Sequence, residues 1–267
     1  MTVLIDTHCH LLPGFDDGAD NLETALAMAK AAAEDGITAV IVTPHYITGL
    51  YQPQAETIRQ ATSGLEEHLR SLGIALELYP GCEAVLDPAL PRWCREGGIL
   101  TLADRGKHIL VELPATDVPA YTEEVLYQLQ LAGLTPVLAH PERNTGIQRD
   151  PGWLAEMVER GVLVQVTAAS LTGHFGRKVE RVARQLVRDG TVHLIATDAH
   201  SPGRRGPRMK QAFQALEPVL TDEALGWLFY DNPTAIVEGR NVFPFTGGRW
   251  LRKRSLWTRL VTRGPRP

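Results

Sequence analysis

The side chains able to do chemistry begin at the sixth residue. Val3-Leu4-Ile5 reads as a short buried strand, a carboxylate follows at Asp6, and His8 and His10 lie two apart. In an extended chain residues i and i+2 share a face, so both imidazoles can be offered to one ion where the strand ends. Cys9 between them is expected to point the other way, as a small buried thiol. Further donors follow at Asp17, His45, Glu83, Glu112, His140, Asp198 and His200. These nine groups are too many for one ion, but with bridging carboxylates they suit two or three. Imidazole and carboxylate donors without an obvious thiolate favour manganese, iron or zinc over a structural zinc knot. His68 stands alone on a predicted helix and reads as an ordinary helix-face histidine.

A multinuclear site suggests hydrolysis. A metal-bound water loses its proton near neutral pH and attacks, while a second ion holds a substrate oxygen. Three positive ions favour an anionic substrate such as a phosphate ester. Two arginines are placed to help: Arg143, in His140-Pro141-Glu142-Arg143-Asn144, and Arg205, in the loop after His200, with Arg204 the competing choice. Guanidinium grips phosphate oxygens bidentately and stabilises transition-state charge.

The donors must be brought together by the elements that carry them. Apolar runs over Ile37–Thr43, Ile74–Tyr79, Ile109–Val111, Thr135–Ala139, Val162–Val166 and Val192–Thr197 read, with the first, as seven strands. Helical patterns fall between them. Asp20 is the expected N-cap of the first, with Glu23 in capping-box spacing and Gly36 as its stop. Others are predicted over Pro53–Gly73 (apolar side Ile58, Ala61, Leu65, Leu72), Pro88–Glu96, Tyr121–Ala132, Pro151–Arg160, Val179–Arg188, Met209–Leu216, Asp222–Phe229 and Pro233–Glu238. Strands alternating with helices imply a parallel sheet with right-handed crossovers. The polar residues fall at the C-terminal end of one strand after another. A closed (β/α) barrel converges such ends on one face, whereas an open doubly wound sheet would spread them along an edge.

The 267 residues suit one α/β domain, and 44% hydrophobic with 22% charged residues describe an ordinary soluble protein. Cys9, Cys82 and Cys94 form no CxxC pattern and read as reduced thiols of a cytoplasmic protein. No signal peptide or transmembrane run is evident. The net charge of -4 hides an asymmetry, because residues 246–267 hold seven Lys/Arg and no acid. Without those seven of the 27, 20 basic face 31 acidic residues, a balance near -11. An acidic body argues against a nucleic-acid partner.

The stretch Asp6-Thr7-His8-Cys9-His10-Leu11-Leu12-Pro13-Gly14-Phe15-Asp16-Asp17-Gly18 resembles the opening of the polymerase-and-histidinol-phosphatase (PHP) superfamily. It is similar in particular to the bacterial manganese-dependent tyrosine-protein phosphatases of capsule and exopolysaccharide operons. The resemblance continues through Thr43-Pro44-His45, Gly81-Cys82-Glu83, Val111-Glu112, Ala139–Arg143 and Ala196–His200, over about residues 3–240. It implies a distorted seven-stranded (β/α) barrel, a trinuclear manganese site and attack by a metal-bridging hydroxide. One ion would take His8, His10, Glu83 and Asp198. A second would share Glu83 and take Glu112 and His140, and a third would take Asp17, His45 and His200. Arg143 and Arg205 would match the family's phosphate-binding arginines, and the implied partner is a phosphotyrosine protein, a cognate bacterial tyrosine kinase.

Two other functions compete. A small-molecule phosphatase of the histidinol-phosphate type would share the metals but not the Asp-Asp-Gly loop. A non-catalytic metal-binding regulator would not need both arginines. The chain divides into a phosphatase domain over residues 1–245 and a tail over 246–267. In the tail Trp250, Leu251, Leu256, Trp257, Leu260 and Val261 mix with the basic residues. The tail is open to two readings, a disordered solvated end or a contact to an anionic membrane surface or an acidic partner patch.

Overall fold

The computed structural model describes residues 3–242 and Leu251. Leu251 makes an isolated bridge to Leu220. The rest of the expected tail lies outside the described residues.

Nine strands and ten helices follow one another along the described chain. They are β1 (Leu4–Cys9), α1 (Leu22–Asp35), β2 (Ile37–Val42), β3 (His45–Tyr46), α2 (Ala55–Ser71), β4 (Glu77–Pro80), β5 (Glu83–Val85), α3 (Leu90–Arg95) and β6 (His108–Glu112). Then come α4 (Thr122–Leu131), β7 (Thr135–Ala139), α5 (Gly152–Glu159), β8 (Leu163–Thr167), α6 (Ala168–Leu171), α7 (Arg177–Asp189), β9 (Leu194–Ala196), α8 (Lys210–Leu216), α9 (Asp222–Gly226) and α10 (Asn232–Val237). The strands form two parallel sheets, β1-β2-β4 and β3-β5-β6-β7-β8-β9. The α/β class with parallel sheets is therefore as expected.

Nine strands replace the expected seven because a short extra strand follows each of the second and third runs, β3 beyond Thr43-Pro44 after β2 and β5 beyond Gly81-Cys82 after β4. Proline has no amide hydrogen to give the ladder. At the break the Thr43 N–H turns back to the Cys9 carbonyl at 2.9 Å, while the Pro44 carbonyl accepts from Glu83 N–H at 3.1 Å. One sheet ends and the next begins at the residues that carry His45 and Glu83. Beyond β9 the chain returns to β1. Cys9 and Ala199 form a parallel bridge, with Asp198 N–H to His8 carbonyl at 2.8 Å and His10 N–H to Ala199 carbonyl at 2.9 Å.

Two apolar clusters hold this frame. The larger packs the helices on the outer strand faces. It takes in Cys9, which therefore faces away from the candidate ligands as expected. The smaller joins Ile5, Ala39, Ile41, Leu110, Val137 and Leu194 with Ile236 and Val237 of α10.

Several element details differ from expectation. Asn21, not Asp20, caps α1, accepting Thr24 N–H at 2.9 Å, while Asp20 takes the Thr24 hydroxyl at 2.6 Å. Both residue types cap well, and the extended backbone falls at Asn21. On α2 the buried side is Ile58, Thr62, Leu65 and Leu69, with Leu72 55% exposed. The last two predicted helices are one continuous run through a π turn at Trp227–Asp231. Pro233 would clash with the carbonyl four residues earlier in a regular α-helix, and the wider turn relieves it.

Candidate metal centre and arginine pair

Eight of the nine candidate donors lie at or within a few residues beyond the C-terminal ends of β1, β2, β4, β6, β7 and β9, with His45 and Glu83 opening the short strands β3 and β5, and Asp17 stands in the loop between β1 and α1. Their nitrogens and oxygens form three overlapping groups: His8, His10, Glu83 and Asp198; His10, Asp17, His45 and His200; and His45, Glu83 and Glu112. In the first group His8 Nε2 is 3.0 Å from His10 Nε2, 3.1 Å from Glu83 Oε2 and 3.4 Å from Asp198 Oδ1. His10 Nε2 is 3.3 and 3.4 Å from the same two oxygens. In the second group Asp17 Oδ1 lies 3.3 Å from His200 Nε2 and 3.5 Å from His45 Nε2. His140 Nε2 joins the third, 3.0 Å from Glu83 Oε1 and 3.7 Å from Glu112 Oε1. His45 reaches both outer groups, since its Nδ1 is also 3.1 Å from Glu83 Oε2. His68 is exposed on α2, as expected.

Two of the candidate donors carry backbone conformations that non-glycine residues avoid. His140 (φ 34) and Asp198 (φ 51), directly after β7 and near the end of β9, are left-handed. Such residues cluster where function needs a side chain aimed against backbone preference. Gly18 closes the loop from the other side. A Cβ there would stand 2.3 Å from the His10 carbonyl oxygen and 2.4 Å from His10 Cβ, so only glycine lets the Asp16-Asp17 loop lie this close.

The donor set fits divalent cations. The His10 Nδ1–H donates to Asp16 Oδ2 at 2.6 Å, which leaves the Nε2 lone pair pointing at His8 and two carboxylates. His200 Nδ1 bonds the Asp198 carbonyl at 3.0 Å, which likewise frees its Nε2. His8 Nδ1 is held 2.8 Å from the Gln165 amide. It is the amide nitrogen of Gln165 that faces His8 Nδ1, and this contact fixes the orientation of the ring. Acceptors facing one another across about 3 Å call for positive charge between them, and Glu83 Oε2 and His45 Nδ1 are buried without a hydrogen-bond partner among the described residues.

Titration points the same way. Burial, then repulsion by Glu83, pushes the Glu112 carboxyl up to about 8. Burial, with Arg143 nearby, pulls His140 down to about 4, so its imidazole is neutral and its lone pair available at neutral pH. Burial would also lower His10, but hydrogen bonds to Asp16, Asp198 and Glu83 overcome it and raise it well above the ordinary value. The position His10 occupies favours a positive charge.

The arginines meet at the rim. Arg143 Nη2 is 2.7 Å and Arg205 Nη2 2.8 Å from Asp198 Oδ2, while Asp198 Oδ1 faces the histidines. The Nε of each is buried and has no hydrogen-bond partner among the described residues. Arg204 is exposed.

The family model for capsular polysaccharide synthesis, CpsB/CapC, matches residues 4–238. The chain belongs to the CpsB/CapC family. It is 35% identical over 240 residues to the tyrosine-protein phosphatase YwqE of Bacillus subtilis, covering 90% of this chain and 94% of that one. It is 25% identical over 239 residues to the tyrosine-protein phosphatase CpsB of Streptococcus pneumoniae, covering 88% and 98%. Among solved structures it is similar to one from work on YwqE and S. pneumoniae CpsB, described as unique metal-dependent tyrosine phosphatases. That match has a TM-score of 0.86 at 34% identity, covering 92% of this chain and 100% of the other. A D-hydantoinase shares the fold alone, with TM-score 0.53 at 14% identity over 87% of this chain and 70% of that one.

Four residues behind the donors were not anticipated from the sequence. Asp16 orients His10 and also accepts His45 N–H at 2.9 Å and Gly18 N–H at 2.9 Å. Gln165 orients His8. Asp6 is fully buried and takes the Thr197 N–H at 2.9 Å and its hydroxyl at 2.5 Å, tying β1 to the end of β9. Glu142 accepts from Thr167 N–H at 3.0 Å and the Ser170 hydroxyl at 2.6 Å, anchoring the turn that carries Arg143. A glutamine inside the apolar strand Val162–Val166 was the one visible signal.

Proposed function

We propose that this chain is a metal-dependent protein-tyrosine phosphatase, acting on a cognate bacterial tyrosine kinase that governs capsule or exopolysaccharide synthesis. The observation that carries the reading is the division of labour at Asp198. One oxygen faces a buried histidine cluster, and the other gathers two guanidinium groups whose Nε donors are unspent. A phosphate monoester fits that rim, since its non-bridging oxygens accept from both forks as charge builds on them. The names of the relatives support tyrosine as the esterified residue. Phenolate, with a pKa near 10, is also a far better leaving group than a serine alkoxide.

In this reading three manganese ions, with iron or zinc as substitutes, are held by the nine donors. His8, His10, Glu83 and Asp198 take one, Glu112 and His140 with Glu83 a second, and Asp17, His45 and His200 a third. Bound there, they supply Lewis acidity and lower the pKa of water toward neutrality. The chain's own residues do the rest. Asp16 holds His10 in the tautomer that presents Nε2, Gln165 fixes the orientation of the His8 ring, and Arg143 and Arg205 grip and orient the phosphate. The seven strand positions, with the bridge from Cys9 to Ala199 between the sheet edges, support a distorted seven-stranded (β/α) barrel. Residues 1–245 would form this catalytic domain, and residues 246–267 would form the tail that meets an anionic membrane surface or acidic partner. No helix among the described residues is long and apolar enough to cross a membrane.

The test is turnover of a phosphotyrosine peptide, a phosphoserine peptide and histidinol phosphate by chelated and manganese-reloaded protein. Manganese-dependent preference for phosphotyrosine is expected. Full activity without metal, or preference for histidinol phosphate, would sink the proposal.

A further inference from the structure

Two aromatic side chains stand at the ends of the contact chain through the site, and neither packs on the apolar core. Tyr51 stacks along His45, ring centroids 6.4 Å apart and 13° from parallel. Phe175 lies at the other end, its ring centroid 5.1 Å from Arg143 Cζ. Phe175 is partly buried, yet it belongs to neither apolar cluster nor to the side chains packed against them. Among the described residues its ring meets His174, edge-on at 5.1 Å, and the Arg143 guanidinium. Gly173 (φ 82) and Gly176 (φ 90) bracket this pair with left-handed turns, so the short loop between α6 and α7 is bent to present Phe175 over the arginine.

We propose that Phe175 is a specificity-determining wall that receives the aryl ring of the substrate. This rests on the phosphatase reading and deepens it. A phosphate gripped by Arg143 and Arg205 places its ester oxygen, and the group beyond it, within reach of the loop that covers Arg143. An aromatic leaving group can pack on the Phe175 ring in an offset or edge-to-face arrangement. A short alkyl ester offers no such surface. The same ring rests on the guanidinium as a cation–π partner, so aryl binding and phosphate binding share one neighbour.

A second role is open to Phe175: it could act solely by holding Arg143 in place. The two roles separate by measuring substrate and product-like binding side by side on manganese-loaded protein. Phe175→Ala is expected to raise KM for phenyl phosphate and phosphotyrosine peptide about three- to ten-fold, the worth of one aromatic pair. The inhibition constant of inorganic phosphate, which touches only the arginine side, should stay within about two-fold, within the scatter of such contacts. Phe175→Tyr keeps the ring and should restore the wild-type KM. An equal rise in KM and in the phosphate inhibition constant would overturn the wall, leaving a positioning residue for Arg143. An unchanged KM for Phe175→Ala would overturn it as well. Wild-type protein with no aryl phosphatase activity would overturn the phosphatase reading itself, and with it this inference, a result distinct from either variant outcome.

Discussion

At the residue scale, Asp198 divides its oxygens between histidines on one side and two arginines on the other. Removing either arginine leaves the imidazole and carboxylate donors in place, so metal should remain while catalysis falls. Loss of one positioned donor to developing charge commonly lowers kcat by about 10²–10³. Arg143→Ala and Arg205→Ala are each expected to show that loss with unchanged metal content by atomic absorption. The exposed Arg204 should tolerate alanine with kcat/KM near wild type. A harmful Arg204→Ala beside a harmless Arg205→Ala would reverse the choice between these neighbours.

At the scale of elements, β8 and β9 are pinned by a histidine outside the metal cluster. His193 N–H reaches the Val164 carbonyl at 2.9 Å, and its Nδ1 accepts the Val164 N–H at 3.1 Å. Protonating Nδ1 breaks the second bond. Burial lowers the His193 pKa from 6.5 to about 4. The unfolded chain therefore binds the proton first. Its contribution is fully present above about pH 6.5 and is lost as the pH falls toward 4. A shift of this size corresponds to roughly 3 kcal/mol. Urea unfolding of metal-free protein at pH 7 and 4.5 should show a smaller acid loss for His193→Asn, whose amide oxygen keeps the acceptor without titrating, by about 2 kcal/mol. Equal acid losses would remove His193 from the account.

The same scale separates what was legible in the sequence from what was not. The strand ends carrying His140 and Asp198 were readable because β-branched and aliphatic runs stop at them. β3 and β5 were not, because strands of two and three residues beside a proline or glycine carry no period. Gln165 and His8 are 157 positions apart, so their pairing is a product of the fold and not of local pattern. Asp16 and Asp17 are adjacent and chemically alike. Only the loop geometry around Gly18 sends one to His10 Nδ1 and the other to His45 and His200.

Over the whole molecule, charge is divided between an acidic body and a basic terminus. The bridge from Leu251 to Leu220 places that one residue of the terminus beside the turn before α9. Deleting residues 246–267 should leave turnover of a small soluble aryl phosphate intact, because the site is built within residues 6–205. It should reduce binding to vesicles containing phosphatidylserine, and full-length binding should weaken as salt is raised, since basic residues contribute on the order of 1 kcal/mol each at an anionic surface. Equal vesicle binding by both forms at low salt would rule out the membrane contact.

Asp17 differs from its neighbours in one respect: its side chain is 53% exposed, whereas those of His8, His10 and Glu83 are 0% exposed. An ion held beside Asp17 can meet solvent by releasing a single surface carboxylate. One held between His8 and Glu83 must leave through protein. Residence times should therefore be unequal, with one slowly exchanging pool and one in rapid balance with the medium. The protein would then respond to the free metal around it, falling silent on dilution while still carrying its more deeply held ions. After addition of a metallochromic chelator, metal release should follow two phases, with activity lost in the first. A single exponential would make the ions kinetically equivalent.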